Sequence, residues 1–382
     1  MKVGVPRQRE HESRISIIPA VVKKLVKLGC DVIVESGAGQ YAHHLDADYQ
    51  AAGATIIPPG DASEKLWADC DIVITINPPT TDQASKLKNN AILVGMLNPV
   101  GEKELLQSLC DRSITSFSME YLPRTSRAQS MDVLSSQANL AGYKAVLLAA
   151  NACPKMFPMM ITAAGTIAPA KVFIIGAGVA GLQAIATAKR LGATVEAFDV
   201  RAATKEQIMS LGARFVELPT AAQDDASTGG YAKEQTDEER QKQAELMAKH
   251  VTGADIVITT AAIFGKDPPM LIDQNVVSDM KNGSVLVDLA ASTEHNRGNC
   301  EITKPGESFN TDNGVTIIGY ENLAGLLSSN ASQVYANNMY AFCELFIKEG
   351  NINLNMEDDL IAGTMITHNG NITNQRVADA TA

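Results

Sequence analysis

The sequence has few of the residues that hold disulfide scaffolds or metal sites together. Its 382 residues include six cysteines, which are widely scattered and form no CxxC pair. This distribution indicates reduced, mostly buried thiols of the kind found in cytosolic proteins. The six histidines likewise show no metal-ligand spacing, so we predict no metal site.

Long apolar runs and an excess of positive charge are missing as well. The N-terminal residues contain no apolar segment of the kind that forms a signal peptide. The longest apolar stretch, residues 156–188, is interrupted by Pro158, Gly165, Pro169 and further glycines, which favours strands and a turn over a membrane helix. The formal net charge of −11 argues against nucleic acid or anionic lipid as a partner, because both are polyanions.

The chain does contain the alternation of strands and helices that builds parallel sheets. Up to about residue 120, short apolar runs alternate with amphipathic segments, which predicts an α/β domain with a parallel sheet. The predicted strands of this region are Lys2–Val5, Asp31–Glu35, Asp71–Ile76, Ile92–Gly95 and Ile114–Ser118, and the predicted helices are Pro19–Leu28 and Glu102–Cys110.

A second α/β domain is predicted after a long helix over residues 132–152. A helix over Ser332–Gly350 is expected to return the chain to the first domain, and the tail after Asn369 is expected to be loosely ordered. We therefore predict two Rossmann-like parallel-sheet domains with a nucleotide-binding cleft between them: residues 1–131 plus about 325–382, and residues 132–324. The strands predicted for the second domain are Lys171–Ile175, Thr194–Phe198, Arg214–Glu217, Ile256–Thr259, Val285–Leu289 and Thr316–Ile318.

A glycine fingerprint in the second domain predicts dinucleotide binding. Gly176, Gly178 and Gly181 follow a β-branched run and open an amphipathic helix, and a second strand ends on Asp199. These glycines permit a tight turn, close approach of a pyrophosphate to the helix N-terminus, and close packing of helix on strand. Asp199 repels a 2′-phosphate and so favours NAD, although Arg201 could in principle hold that phosphate of NADP.

A polar segment at about 220–238 is too long for a routine connection between two elements. Its centre, Gly229-Gly230-Tyr231, is typical of a mobile loop that closes over a ligand. We therefore predict a lid at this position.

Several segments together resemble one family. They are Pro123-Arg-Thr-Ser-Arg-Ala-Gln-Ser-Met-Asp132, Leu134–Lys144, Thr162-Ala-Ala-Gly-Thr166, Asp199-Val-Arg201, Gly229–Glu234 and Asp288-Leu-Ala290. The chain resembles the alanine dehydrogenase and proton-translocating transhydrogenase family over nearly its whole length, and within it the NAD(H)-binding components of the transhydrogenases. The resemblance implies direct hydride transfer from NADH on this chain to NADP⁺ on a partner domain, coupled to proton movement by a membrane-spanning subunit. It also implies a homodimer held peripherally on the cytoplasmic side of a membrane through its partner subunits.

The resemblance also implies roles for individual residues. The loop that orients the nicotinamide and its ribose would include the catalytic residues Arg124, Gln129 and Asp132, with Ser135 beside them and Tyr143 nearby. The pyrophosphate would lie on Gly176, Gly178, Val179, Ala180 and Gly181, and the adenosine ribose on Asp199. Val200, Arg201, Gln243 and Ala262 would line the adenosine pocket, and Gly230 and Tyr231 would form the tip of the closing loop.

The side-chain chemistry suits these roles. Hydride transfer between two nicotinamides needs no general acid, general base or metal, so the protein must set the ring geometry and exclude water. Gln129 offers a donor and an acceptor to a carboxamide or a ribose hydroxyl, and Arg124 and Asp132 can pair and so fix the loop.

Two other functions remain open at this point. An alanine dehydrogenase would need an arginine, a lysine, a histidine and an aspartate; Arg14 matches the first, whereas Thr75, Met96 and Ser292 stand in the other three positions. A non-catalytic NAD-binding protein would keep the fingerprint but would have no need of the 124–132 loop. The chain also departs from the family pattern at Ala324–Ser328, Ser292–Arg297 and residues 263–269, which leaves the docking of partners open.

Overall fold

The computed structural model describes residues 1–217, 237–262 and 267–381, and the chain divides into two compact units. Unit 1 comprises Met1–Gln137 and Gly325–Ala382, and unit 2 comprises Ala138–Ala324. Each unit is built on its own, mainly parallel, β-sheet.

The N-terminal portion of unit 1 alternates strands and helices. Helix α1 begins at Pro19, whose fixed φ and missing N–H suit the first turn, and it buries Val21, Val22 and Leu25. The strands are β1 (Lys2–Val5), β2 (Asp31–Glu35), β3 (Thr55–Ile57), β4 (Ile72–Ile74), β5 (Ile92–Gly95) and β6 (Thr115–Ser118), and the helices are α1 (Pro19–Lys27), α2 (Asp46–Ala51), α3 (Asp61–Asp69), α4 (Thr81–Lys86) and α5 (Lys103–Asp111).

Helix α6 (Val133–Ala152) leads into unit 2. The strands that follow are β7 (Met160–Thr162), β8 (Gly165–Ile167), β9 (Lys171–Ile175), β10 (Thr194–Phe198), β11 (Arg214–Phe215), β12 (Ile256–Thr259), β13 (Val285–Asp288), β14 (Ser308–Asn310) and β15 (Thr316–Ile318), with helices α7 (Val179–Arg190), α8 (Lys205–Ser210), α9 (Asp237–Gly253) and α10 (Gln274–Ser278). The chain then returns to unit 1 with α11 (Ser328–Cys343), β16 (Ile347–Lys348), β17 (Asn351–Ile352), α12 (Asp359–Thr364), β18 (Met365–His368), β19 (Asn371–Ile372) and α13 (Gln375–Thr381).

The sheet of unit 1 is completed by the C-terminal segment. Among the described residues its strand order is β19-β18-β6-β5-β4-β1-β2-β3. Strands β1 to β6 run parallel, β18 runs antiparallel to β6, and β19 runs antiparallel to β18. In the core, Phe117 of β6 packs on Phe342 and Phe346, with ring centroids 5.2 and 5.5 Å apart.

The sheet of unit 2 has the order β11-β10-β9-β12-β13-β15-β14 in the described stretches of the chain. Only β14 runs antiparallel, to its neighbour β15. The order changes direction at β9, which lies between β10 and β12, and ligands of open α/β sheets bind at the carboxyl ends of the strands at such a point. The fingerprint glycines follow β9 directly.

The structure confirms the predicted fold class, two parallel-sheet α/β units. It contradicts the expectation of a loosely ordered tail after Asn369, because β19 and α13 form there and Val377 is fully buried against Leu106 and Ile366. Within the described residues, no helix is both long and apolar enough to cross a membrane.

Candidate functional site

The fingerprint glycines of unit 2 have different physical roles. Gly176 has φ +97°, and a Cβ added there would lie 2.5 Å from Thr260 Oγ1. A Cβ at Gly181 would lie 1.9 Å from the Gly176 carbonyl oxygen, whereas a Cβ at Gly178 would meet nothing within 4 Å. Gly176 and Gly181 are therefore required by the turn and its packing, and Gly178 leaves open space at the N-terminus of α7 where a phosphate can approach.

Helix α6 contributes a further close contact in unit 2. A Cβ added at Gly142 would lie 2.1 Å from the carbonyl oxygen of Ala180, so the glycine brings α6 onto the first turn of α7. Tyr143, the next residue, is 39% exposed, and Val179 at the start of α7 is equally exposed. The sequence offered one signal for this contact, a glycine within an otherwise helical pattern.

Asp199 lies buried at the end of β10 with all four acceptor positions of its carboxylate filled. Oδ2 accepts from the backbone N–H of Ala177 at 2.7 Å, and Oδ1 accepts from that of Arg201 at 2.8 Å. The Arg201 guanidinium donates to both oxygens at 3.0 Å. Burial alone raises the pKa of Asp199, but these hydrogen bonds outweigh it and hold the pKa below its usual value. Val200 beside it is 65% exposed and offers an apolar surface.

The end of β12 is fixed by two polar side chains that the sequence did not single out. Thr260 Oγ1 donates to the Gly176 carbonyl oxygen at 3.1 Å and so holds the fingerprint turn. The fully buried Asn299 accepts from the Ala261 N–H at 3.0 Å and donates to the Ala261 carbonyl oxygen at 2.8 Å. This pairing sets the position of the exposed Ala262 that follows.

Asp288 has a structural role at the end of β13. Its fully buried carboxylate accepts from Thr259 Oγ1 at 3.0 Å, Thr303 Oγ1 at 2.8 Å, and the backbone N–H groups of Ala290 and Cys300 at 3.0 Å. The carboxylate therefore ties the carboxyl ends of neighbouring segments together.

The 124–132 loop of unit 1 presents two of the predicted catalytic side chains to solvent. Its central portion, Ser126–Met131, is a 3₁₀ helix in which Ala128 and Met131 are buried, while Arg124 and Gln129 are exposed. Asp132 caps α6: its carboxylate accepts from Ser135 N–H at 2.9 Å and from Ser135 Oγ at 2.6 Å. Within the described residues no ion pair joins Arg124 to Asp132, so the expected pairing of these two is corrected.

The C-terminal segment holds this loop in place, which the sequence did not predict. Arg127 forms ion pairs with Asp358 and Asp359 at the start of α12. The Asn338 amide on α11 donates to the Ser130 carbonyl oxygen at 2.8 Å. Because these partners lie more than 200 residues away in the sequence, no local pattern indicated them.

Arg14 is a structural ion-pair partner. Its guanidinium donates to both oxygens of Glu12, at 2.8 and 2.6 Å, and to Gln137 Oε1 at 2.8 Å. Burial by itself raises the pKa of Glu12, but the Arg14 interactions hold that pKa below its usual value. With Thr75 donating to Gln8 Oε1 at 3.1 Å, the charged and polar groups at this edge of the sheet satisfy one another.

Some predicted residues lie outside the described portion of the chain. Gly230 and Tyr231, with the lid predicted at about 220–238, fall largely within residues 218–236, and the side chain of Gln243 on α9 is not described either. Within the described residues, no three His, Cys, Asp or Glu side chains are placed to hold a metal ion.

Family models for the N-terminal and C-terminal domains of alanine dehydrogenase/PNT match residues 4–141 and 145–375. The chain belongs to the alanine dehydrogenase/PNT family. Among its relatives in the family, an NAD(P) transhydrogenase subunit alpha chain of Rhodospirillum rubrum is 45% identical over 381 residues, covering 97% of either chain. A solved transhydrogenase structure from Sinorhizobium meliloti has a TM-score of 0.84 at 39% identity and covers 98% of this chain and 100% of that one.

Alanine dehydrogenases are more distant members of the family. The enzyme from Halomonas elongata is 28% identical over 388 residues, covering 100% of this chain and 96% of that one. The resemblance to the transhydrogenases that the sequence predicted is thereby confirmed.

Proposed function

We propose that this chain is the NAD(H)-binding component of a proton-translocating NAD(P) transhydrogenase. Hydride then passes directly between NADH on this chain and NADP⁺ on a partner domain. The observation that carries the proposal is the exposed 124–132 loop, which presents Arg124 and Gln129 in a chain 45% identical to a transhydrogenase α subunit.

The adenosine end of NAD(H) is assigned to the fingerprint and to Asp199. Gly178, Val179, Ala180 and the packed Gly176 and Gly181 would hold the pyrophosphate at the N-terminus of α7. The two side-chain hydrogen bonds from Arg201 to Asp199 would give way to the hydroxyls of the adenosine ribose. The remaining residues assigned to the adenosine pocket and its closing loop are Val200, Gly230, Tyr231, Gln243 and Ala262.

The nicotinamide end is assigned to the 124–132 loop and the start of α6. The bound nucleotide supplies the hydride, so the chain's own residues have only to orient the ring and keep water away from it. Gln129 can donate to and accept from a carboxamide or a ribose hydroxyl, and Arg124 adds a positive charge. Asp132 and Ser135 fix the first turn of α6, and Tyr143 lies two turns further along that helix.

The absence of an oxoacid site weighs against alanine dehydrogenase activity. Arg14 is neutralised by Glu12, and Thr75 and Met96 stand where the family's lysine and histidine would polarise and protonate a carbonyl. A nucleotide-binding chain without these groups is suited to hydride exchange between two nicotinamides.

A homodimer is included in the proposal, and an exposed hairpin supports it. Strands β7 and β8 pair with each other, and every residue in them is exposed. Met160, Ile161 and Ile167 are 44%, 75% and 43% exposed, a concentration of apolar surface that a second copy of the chain would cover. The other proposed partners are an NADP(H)-binding domain and a membrane-spanning subunit that holds this chain peripherally on the cytoplasmic side.

The decisive experiment mixes this chain with the NADP(H)-binding domain of a transhydrogenase. NADPH should then reduce an NAD analogue whose reduced form is followed by its own absorbance. NADH binding without any exchange would overturn the proposal in favour of a non-catalytic NAD-binding protein. Oxidation of NADH by pyruvate and ammonia without the partner domain would point instead to an alanine dehydrogenase.

A further inference from the structure

One side chain ties the end of the 124–132 loop to the helix that follows it. Asn338 on α11 is 7% exposed. Its Nδ2 donates to the Ser130 carbonyl oxygen at 2.8 Å, and its Oδ1 accepts from Ser136 Oγ at 2.7 Å. The amide therefore fixes the backbone next to Gln129 against the first turn of α6.

A second anchor holds the other half of the same loop. The Arg127 guanidinium contacts the carboxylates of both Asp358 and Asp359, the latter at 2.6 Å. Asp358 is itself fixed, because it caps α12 by accepting from the Leu360 N–H at 2.9 Å. The loop is thus attached at two points to the C-terminal segment of unit 1.

Between these anchors the neighbours of Gln129 are immobilised on both sides. Ala128 and Met131 are 3% and 6% exposed and belong to the core of unit 1, and Ser130 is held through its carbonyl oxygen. Gln129 is the residue that this arrangement turns outwards. Its direction is therefore set by residues that do not themselves face solvent.

We propose that Asn338, assisted by Arg127, is a positioning residue that holds Gln129 and Arg124 in the orientation needed for hydride transfer. This inference rests on the function proposed above. Loss of the Asn338 amide leaves the Ser130 carbonyl oxygen without its donor and frees the loop end, and a displacement of about 1 Å can slow a reaction by about 100-fold. NADH affinity depends mainly on the fingerprint and Asp199 of unit 2, so it should change little.

The test compares Asn338→Ala and Asn338→Asp with Asn337→Ala. Asn337 lies on the same helix and is exposed, so it is a matched control. We expect hydride exchange with the NADP(H)-binding domain at saturating NADH to fall at least about tenfold in both Asn338 variants, with the NADH Kd within about threefold of wild type. Asn337→Ala should match wild type in both measurements.

Hydrogen exchange of residues 124–132 in the nucleotide-free protein gives a readout that does not depend on activity. The amides of this segment should exchange at least about tenfold faster in the Asn338 variants than in Asn337→Ala. Arg127→Ala should show the same pattern to a smaller extent, and Arg127→Lys should recover some of the protection, since a lysine retains the charge but cannot contact two carboxylates as a planar fork.

The possible outcomes separate the two proposals. Exchange rates and hydride transfer equal to those of Asn337→Ala would overturn the positioning role, as would a rise in NADH Kd that accounts for the whole loss of rate. Should Asn338→Ala fail to fold, Arg127→Ala decides, because Arg127 is 53% exposed and its removal leaves the core intact. If the wild-type chain binds NADH but transfers no hydride, the proposed function fails, while hydrogen exchange still tests the anchoring of the loop.

Discussion

The three fingerprint glycines offer a test that separates folding from binding at single residues. Gly181→Ala places a methyl group 1.9 Å from a backbone oxygen, so we expect it to lower the free energy of unfolding by about 3 kcal/mol. Gly178→Ala meets no atom within 4 Å, and its φ of −73° suits alanine, so stability should stay within about 0.5 kcal/mol of wild type. Its methyl group faces the proposed phosphate, so NADH affinity should fall about tenfold. Urea unfolding and NADH titration check both; unchanged NADH affinity in Gly178→Ala would remove that glycine from the site.

Gln129 is where the proposed chemistry depends on one exposed amide. Gln129→Asn keeps the amide but shortens the side chain by one methylene, which withdraws it from the position that the rigid 3₁₀ turn sets. We expect hydride transfer to slow at least about tenfold while the NADH Kd changes less than about threefold. Gln107→Asn on α5, also exposed, is the matched control and should leave both quantities unchanged. Equal transfer rates for the two variants would exclude Gln129 from the reaction.

The ion pair between Asp199 and Arg201 predicts a pH dependence with a definite sign. The pKa of Asp199 is lowered in the fold from a value of 3.8, so its contribution to stability is complete above pH 3.8 and is lost as the pH falls through the folded pKa. Asp199→Asn should therefore lower the free energy of unfolding by about 1–2 kcal/mol at pH 7, a modest figure because Arg201 is largely exposed. Unfolding measured from pH 8 downwards should show this difference constant to about pH 5 and shrinking below about pH 4. A difference that grows on acidification would contradict this interpretation.

At the scale of elements, the strands buried on both faces were predictable and the short exposed ones were not. β1, β2, β5, β10, β12 and β15 have the predicted bounds, since strands of a parallel sheet appear as continuous β-branched runs. The hairpin β7–β8 and the pair β16–β17 were missed because their strands are only two or three residues long and form through pairing. Helix α13 was missed because its one fully buried residue, Val377, leaves no periodic pattern.

The exposed hairpin carries a prediction about assembly. Ile161→Lys introduces a charge at a side chain that is 75% exposed in the single chain, so the monomer itself should lose little stability, within about 0.5 kcal/mol. If the hairpin is buried in a homodimer, the desolvated lysine should shift the chain to monomer at micromolar concentration. Light scattering coupled to size exclusion measures the mass, with Val26→Lys on α1, 38% exposed, as the control. An unchanged dimer with Ile161→Lys would place the dimer interface elsewhere.

At the scale of the whole molecule, the sequence predicted that the chain returns to the first domain but not what the return accomplishes. The C-terminal segment supplies β18 to the edge of the unit 1 sheet and Phe342 and Phe346 to its core. It also supplies Asn338 to the 124–132 loop. Such contacts join residues more than 200 positions apart, and neither periodicity nor propensity carries information over that distance.

Removal of residues 325–382 should therefore unfold unit 1 and spare unit 2. The truncation deletes Tyr335, Met339, Phe342 and Phe346, each 0% exposed, and each worth about 1.5–3 kcal/mol of burial. With the loss of β18 as well, the deficit is comparable to the roughly 5–15 kcal/mol that stabilises a typical domain. Trp67, 3% exposed and the single tryptophan, lies in unit 1 and reports on it alone, so its emission should shift to that of a solvated indole in the 1–324 chain.

The matching fragment, residues 138–324, isolates the other half of the prediction. It retains β7 to β15 with the cores on the two faces of its sheet, so it should melt cooperatively by far-UV circular dichroism. Because it also retains the fingerprint and Asp199, it should bind ADP-ribose, and Gly178→Ala in the fragment should weaken that binding as it does in the full chain. A 1–324 chain whose Trp67 emission and melting match those of the full chain would show that unit 1 does not depend on its C-terminal segment. Contacts within residues 1–137 would then have to hold the 124–132 loop without Asn338, Asp358 or Asp359.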